Sequence, residues 1–458
     1  MCQHPFTLHF FFKRSVLKSI NCYLNRRSAK LIFKYFEIYN IMSILIKNIF
    51  HQGKKTDVFV EKDCFTTIAD NLDIKADTVI DGSGRAILPS FHNLHTHSSM
   101  TLMRGYADDV PLHSWLNDRI WPFEAKMSPE DIYNGARMAC VEMIKSGTTF
   151  CVDMYIGTEQ VVKAFSEMGI RAMVGAAFFD FFEKERAEKA KTELQQKMNR
   201  WANFDDKIAV IPAPHAIYTV SEENLRWLAE YAKANDFMIN IHISETQKEV
   251  EDCVAMYGVR PVALLDRVGL LNDKLIVAHA VHLNDEEIAL FAKRGVIVAH
   301  CPASNMKLAS GSFRYKDMAD AGVKFAIATD GVCSDNNLDM MGEMKLAALR
   351  AKEMYADATV ASADDVFART TKLAAEYLNL NTGEIAVGRK ADFILVNLNH
   401  INMIPNHNII SNMVYSATPA VIDYTVCNGE ILMSEGVVRG EKEIIAAVRE
   451  SVTRIMGE

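Results

Sequence analysis

The feature that most constrains this 458-residue chain is a repeated texture over residues 90–330. Strand-like apolar runs alternate there with amphipathic helical runs, the pattern of parallel βα units. Eight strand-like runs can be counted, ending at His95/His97, Asp153, residues 176–180, His215, His242, His279, His300 and Asp330. Helical runs fill the gaps at 129–146, 159–168, 184–200, 221–235, 263–268, 285–294 and 315–321. Eight βα units are the number that closes a (β/α)8 barrel, whose reacting residues stand at the C-terminal strand ends. Seven of the eight runs end in His or Asp. The charge-dense run 184–200 reads as a solvated helix face.

Outside that region the pattern is short β runs separated by turns. Runs at 44–49, 57–60, 66–68 and 78–80 suggest a small antiparallel sheet, and Ile87-Leu88 reads as a buried strand leading into His95. The same texture returns at 383–396 and in the pair 424–427 and 430–433 around Asn428-Gly429. Chain termini tend to lie close together, so the two β segments can complete one sandwich. The expected architecture is α/β: a TIM-type (β/α)8 barrel over 90–382, a composite β-sandwich from 42–89 and 383–440, and a C-terminal helix at 441–458.

Composition narrows the function classes. Hydrophobic content of 49% with 24% charged residues is that of a soluble globular protein. A net charge of -8 gives no reason to expect nucleic acid. Nine cysteines without a C-x-x-C pair do not make a disulfide framework and fit a reducing cytoplasm. No run of about eighteen apolar residues is present to span a bilayer. Residues 1–41 carry seven Lys or Arg against one acid, Glu37, without a signal-peptide layout. Met42 reads as the natural start, residues 1–41 then being upstream sequence; a membrane-surface or organelle address is the competing reading.

The chemistry lies in the strand-end residues. His95 and His97 share a strand face, because side chains alternate. A zinc-type catalytic site wants three or four N/O ligands and one position for water. His95, His97, His242 and Asp330 supply three imidazoles and a carboxylate from strands one, five and eight, and strands one and eight are neighbours in a closed barrel. Any one histidine alone is more often structural; the joint pattern argues otherwise. Glu245, three residues after His242, can carry protons between water and substrate, with a plain helix-start acid as the alternative. His279 can orient hydroxide or polarise substrate. Asp330 can both ligate the metal and accept a proton from water.

At these residues the chain resembles the amidohydrolase superfamily, and within it the methylthioadenosine/S-adenosylhomocysteine deaminase and triazine chlorohydrolase group. The resemblance rests on His95-Thr96-His97-Ser98-Ser99-Met100-Thr101-Leu102-Met103-Arg104-Gly105, Ala213-Pro214-His215, Ile241-His242-Ile243-Ser244-Glu245-Thr246, Ala278-His279, Pro302-Ala303-Ser304-Asn305-Met306-Lys307-Leu308 and Thr329-Asp330-Gly331. Gly388-Arg389-Lys390-Ala391-Asp392 adds a C-terminal match, and the similarity runs over about 43–438. It implies one divalent metal, zinc or else iron, on His95, His97, His242 and Asp330. It also implies a proton-carrying Glu245, an assisting His279, a Glu124 that contacts ribose hydroxyls and a substrate-contacting His215. No lysine stands at the end of strand four, which argues for a single metal. The implied reaction is deamination of an adenosine-type nucleoside such as 5′-methylthioadenosine or S-adenosylhomocysteine. The alternative is hydrolysis of another N-heterocycle such as guanine, a pterin or a triazine. An arginine that holds an amino-acid tail in such deaminases is missing from 173–180, which puts S-adenosylhomocysteine in doubt; Arg186 stands near a second such position. The expected partner is a small-molecule substrate, without nucleic acid or membrane, and a homo-oligomer is left open.

Overall fold

The computed structural model describes residues 43–110, 114–202 and 204–457. The basic leader and Met42 lie outside the described residues.

Five strands come first: β1 (Ser43–His51), β2 (Lys54–Glu61), β3 (Cys64–Ala69), β4 (Thr78–Asp81) and β5 (Arg85–Pro89). Eight barrel strands follow: β6 (Phe91–Thr96), β7 (Thr148–Tyr155), β8 (Arg171–Phe178), β9 (Ile208–Pro214), β10 (Ile239–Ile243), β11 (Leu275–His279), β12 (Ile297–His300) and β13 (Lys324–Ile327). The chain closes with β14 (Phe393–Asn397), β15 (Ile422–Cys427), β16 (Glu430–Ser434) and β17 (Val437–Val438), then a helix, Glu441–Met456.

The strands β6 to β9 form one parallel sheet and β10 to β13 another. Backbone hydrogen bonds join both seams: His242 N donates to His215 O, and Asp330 N donates to His95 O, each at 3.0 Å. Every residue of β6, β7, β10, β11 and β12 is buried. That is the expectation for strands covered on both faces. Alternation sends Phe150 and Val152 into a cluster with Leu94, Ile211, Ile276 and Ala326, while Cys151 joins the apolar layer under the helices. Helices occupy the expected gaps, among them Pro129–Lys145, whose N-cap Ser128 and Asp131 form a reciprocal capping box. The charge-dense helix Lys184–Trp201 buries only Ala187, Leu194 and Met198.

The terminal strands form a nine-stranded sheet in the order β17-β16-β15-β14-β5-β1-β2-β3, with β4 against β1. Strand β1 changes neighbours along its length: Ile44–Lys47 pair with β4, whereas Phe50 pairs with Ala86 of β5. Its register shifts between Ile46 and Ile49, where Asn48 adopts φ 57°. A bulge of this kind re-aims a strand, and the sheet encloses its own core of Ile46, Val58, Phe65, Ile87, Phe393 and Leu395. The (β/α)8 barrel with a small β unit built from both ends of the chain is the observed fold.

Three details differ from the pattern reading. The N-terminal strands are not all antiparallel: β2 already occupies one edge of β1, so the chain crosses back to lay β4 and β5 parallel on the other. Ile87 and Leu88 pair with β14 instead of extending the first barrel strand, which starts at Phe91. The run 383–396 is strand only from Phe393, because Gly383 and Gly388 take φ 82° and 87° and turn the chain.

Candidate active site

At the C-terminal mouth of the barrel, four side chains offer ligand atoms within 4.8 Å of one another: His95, His242, His279 and Asp330. His97 joins them, since its Nε2 lies 3.2 Å from both His242 Nε2 and Asp330 Oδ1. Hydrogen bonds behind the rings decide which nitrogen is free. His97 Nδ1 faces Met154 O at 2.5 Å and His242 Nδ1 faces His215 O at 2.7 Å. A carbonyl only accepts, so each Nδ1 carries a proton and each Nε2 is left for a metal ion or, without one, for a second proton. Asn305 Oδ1 does the same for His279 Nδ1 at 2.9 Å. The two Nε2 atoms lie 3.2 Å apart beside a carboxylate, an arrangement that calls for a proton or a metal ion between them.

The remaining groups fit the same occupant. Neither ring nitrogen of the fully buried His95 has a hydrogen-bond partner among the described residues. Asp330 Oδ2 accepts from the Ser304 and Ser334 hydroxyls at 2.7 and 2.6 Å, which turns Oδ1 toward His97 and His95 at 3.2 and 3.4 Å. Burial lowers the His95 pKa to about 4 and that of His215 to about 3; burial and neighbouring imidazoles hold His242 well below its ordinary value. Burial works against the charge on Asp330, yet the approach of His95 and His97, at 3.4 and 3.2 Å, holds its carboxyl well below the usual range. Burial also opposes protonation of His97, but contact with Asp330 pushes that pKa up to about 9. A set of imidazoles around one ionised carboxylate is the donor chemistry of a divalent metal such as zinc.

The backbone at the site is strained. Ser244, His279, Ala280 and Asp330 take φ of 49°, 70°, 50° and 65°, a region that residues other than glycine rarely adopt. The glycine after Asp330 has a steric reason: a Cβ on Gly331 would meet Met100 Sδ at 2.8 Å and His97 Cβ at 3.2 Å.

Above the cluster opens a recess. His97, Glu124, His215, His242, Glu245, His279 and Asp330 all line it, with His95 buried beneath. Glu245 Oε2 stands 3.8 Å from His279 Nε2, and Ser310 Oγ donates to Glu245 Oε1 at 3.2 Å. Desolvation raises the Glu124 pKa, and the hydrogen bond it receives from Tyr155 works the other way. His215 packs on Phe179 with ring centroids 5.1 Å apart, its Nδ1 3.0 Å from Thr219 Oγ1. Trp115, Trp121, Tyr155, Phe179 and Tyr218 supply aromatic walls that the sequence reading did not single out. Ser304 and Asn305 stood in a quoted motif without a role, whereas nothing in the sequence marked Ser334.

Other strand-end residues are absent from the recess lining. Asp180 serves the start of the helix Glu222–Asn235, and His300 stacks on Phe313 at 4.0 Å. Asp153, whose pKa burial raises to about 6, accepts from Ser98 N at 2.7 Å. His282 Nε2 donates to Ser310 O at 2.6 Å, in the adjoining loop. At the end of β8, Ala177 and Phe179 face the recess, while Arg186 pairs with Glu183 at 3.0 Å on an exposed helix.

Comparison with known proteins follows the same lines. The model of the amidohydrolase family matches residues 86–432. A 5-methylthioadenosine/S-adenosylhomocysteine deaminase of Archaeoglobus fulgidus is 45% identical over 388 residues, 84% of this chain and 92% of its own. A 5′-deoxyadenosine deaminase of Methanoregula boonei is 40% identical over 426 residues, 91% of this chain and 96% of its own. The crystal structure of an adenosine deaminase from Xanthomonas campestris with bound zinc superposes with a TM-score of 0.85 at 33% identity, covering 91% of this chain and 99% of that one.

Proposed function

The chain belongs to the amidohydrolase family, and from that premise we propose that it is a zinc-dependent aminohydrolase removing the exocyclic amine of an adenosine-type nucleoside. The reaction class, hydrolysis of a carbon–nitrogen bond, follows from the family and from relatives named as deaminases. One observation carries the site assignment: Nε2 of His97 lies 3.2 Å from both His242 Nε2 and Asp330 Oδ1, in the recess that Glu245 also lines. In this reading His95, His97, His242 and Asp330 hold the ion. When bound, a divalent ion supplies Lewis acidity and brings the pKa of a water toward neutrality.

The protein's own residues then divide the work. Glu245 takes a proton from the attacking water and delivers it to the ring nitrogen beside the amino-bearing carbon. The hydroxyl oxygen adds to that carbon, and Asp330 accepts its remaining proton and hands it on to the departing amine. His279, its Nδ1 tied to Asn305, keeps Nε2 toward the reacting oxygen. Ammonia departs and a ring carbonyl remains. Glu124, half-buried and partnered by Tyr155, offers an acceptor for ribose hydroxyls, and His215 borders the substrate. Neither Lys nor Arg occurs among the described residues lining the recess, and Phe179, Trp115 and Trp121 do. That favours an uncharged 5′ tail, as in 5′-methylthioadenosine or 5′-deoxyadenosine, over the zwitterionic tail of S-adenosylhomocysteine.

The test is ammonia release by zinc-loaded protein with adenosine, 5′-deoxyadenosine, 5′-methylthioadenosine, S-adenosylhomocysteine, guanine and an aminotriazine. The expected result is turnover of the 6-aminopurine nucleosides, fastest where the 5′ tail is apolar. Turnover confined to guanine or the triazine, in protein shown to hold metal, overturns the substrate class.

A further inference from the structure

We propose that Glu249 is a positioning residue for Glu245, an inference that rests on the acid–base role given to Glu245 above. Glu249 sits in the first turn of the helix Gln247–Tyr257, and its residue is 6% exposed. An acid at that position ordinarily reaches back to the amide of the helix N-cap, closing a capping box. Here the N-cap Thr246 accepts from Glu249 N, but the carboxylate reaches further. Oε1 accepts from Ser244 N and Oε2 from Glu245 N, both at 2.8 Å. Both carboxyl oxygens are therefore committed to the backbone that carries the acid–base side chain.

That peptide needs holding. Ser244 is in the left-handed region at φ 49°, a conformation that persists only where surroundings over-determine it. Its carbonyl accepts from Val281 N at 3.0 Å and His282 N at 2.9 Å, just past His279. The pinned peptide thus fixes the stem of Glu245 and ties it to the end of β11. A Glu245 carboxylate displaced by an ångström loses its reach to water and ring nitrogen together.

The experiment is a double-mutant cycle in full-length, zinc-loaded protein, following ammonia release from the nucleoside turned over fastest. Glu249→Gln replaces one acceptor by an amide and is expected to lower kcat by about 10- to 100-fold, the scale of a small misplacement. KM and zinc per chain stay near the wild-type values. In the Glu245→Gln background the same change is expected to have no further effect, because both act through one carboxyl. Glu249→Asp, which keeps the charge but is one methylene short, gives the same pattern where the Gln variant does not fold. Wild-type kcat in Glu249→Gln, or losses that multiply in the double variant, overturns the proposal. So does failure of both Glu249 variants to fold with metal, which would make the residue structural. Wild-type activity in Glu245→Gln alone would instead sink the acid–base reading on which the inference stands.

Discussion

Each imidazole of the cluster has one nitrogen committed to a fixed acceptor and one left over. Met154 O, His215 O and Asn305 Oδ1 make that choice for His97, His242 and His279. Outer partners of this kind orient ligands and set their tautomers. Glu245 differs, being held by Ser310 and its own peptide near His279. It can therefore be altered without touching the residues proposed to hold the metal. Glu245→Gln is isosteric, cannot carry a proton, and is expected to keep a full equivalent of zinc while kcat falls by about 10²–10⁴-fold, the usual share of general acid–base catalysis. Metal analysis and ammonia release on one preparation check it; undiminished turnover would remove Glu245 from the reaction.

At the scale of elements, strand ends place the chemistry, but a strand end is not itself a function. Asp180 follows β8 at the position where other strands carry site residues. Its carboxylate instead accepts from Phe182 N, Ser221 N, Ser221 Oγ and Asn224 Nδ2, stitching the loop to the start of the next helix. Asp180→Ala removes the acceptor those donors share and is expected to lower the unfolding free energy by about 1–2 kcal/mol, on the scale of a lost cap. Chemical denaturation reads that loss, and the kcat of the metal-loaded variant should stay close to that of the wild type. An unchanged unfolding midpoint would show the cap to be idle. Asp180 also shows how far sequence pattern reaches. Period-2 and period-3.6 runs reveal which segments are strands and helices, so the barrel was legible, as was the clustering of His95, His97, His242, Glu245, His279 and Asp330 at one end. Which side of a strand end a residue serves depends on its neighbours across space. Nothing local separates Asp180 from Asp330, and Ser334 and Glu249 look like ordinary helix-start residues. Helices such as Met340–Tyr355 escaped the pattern reading for a similar reason: Met340, Met344, Ala348 and Ala351 are buried at helical spacing, but Met and Ala also fit an unpatterned core run.

Over the whole molecule, the chemistry and the coupling between barrel and composite sheet lie at opposite ends of the strands. Arg171 is the first residue of β8, and eight residues of strand, roughly 25 Å at about 3.3 Å each, separate it from the mouth of the barrel. Its guanidinium clasps Asp392 in two bonds of 3.0 and 3.2 Å and donates to Asn428 Oδ1 at 2.7 Å. Asp392 ends the Gly388–Asp392 motif flagged in the sequence, so that motif contributes the buried partner just before β14. Both charged side chains are nearly inaccessible, at 9% and 0% exposed. Removing one member of such a pair strands the other charge in an apolar interior, whereas replacing both by apolar groups of similar size does not. Arg171→Met is accordingly expected to lower the unfolding free energy by about 3–5 kcal/mol, and the double variant with Asp392→Leu to recover much of that loss. Turnover per metal-loaded chain should persist in both, because barrel bases serve stability and barrel mouths serve chemistry. Urea unfolding at saturating zinc, alongside ammonia release, separates the two effects. A loss below about 1 kcal/mol for the single variant would mean that the pair behaves like an exposed surface bridge and does not lock the sheet to the barrel.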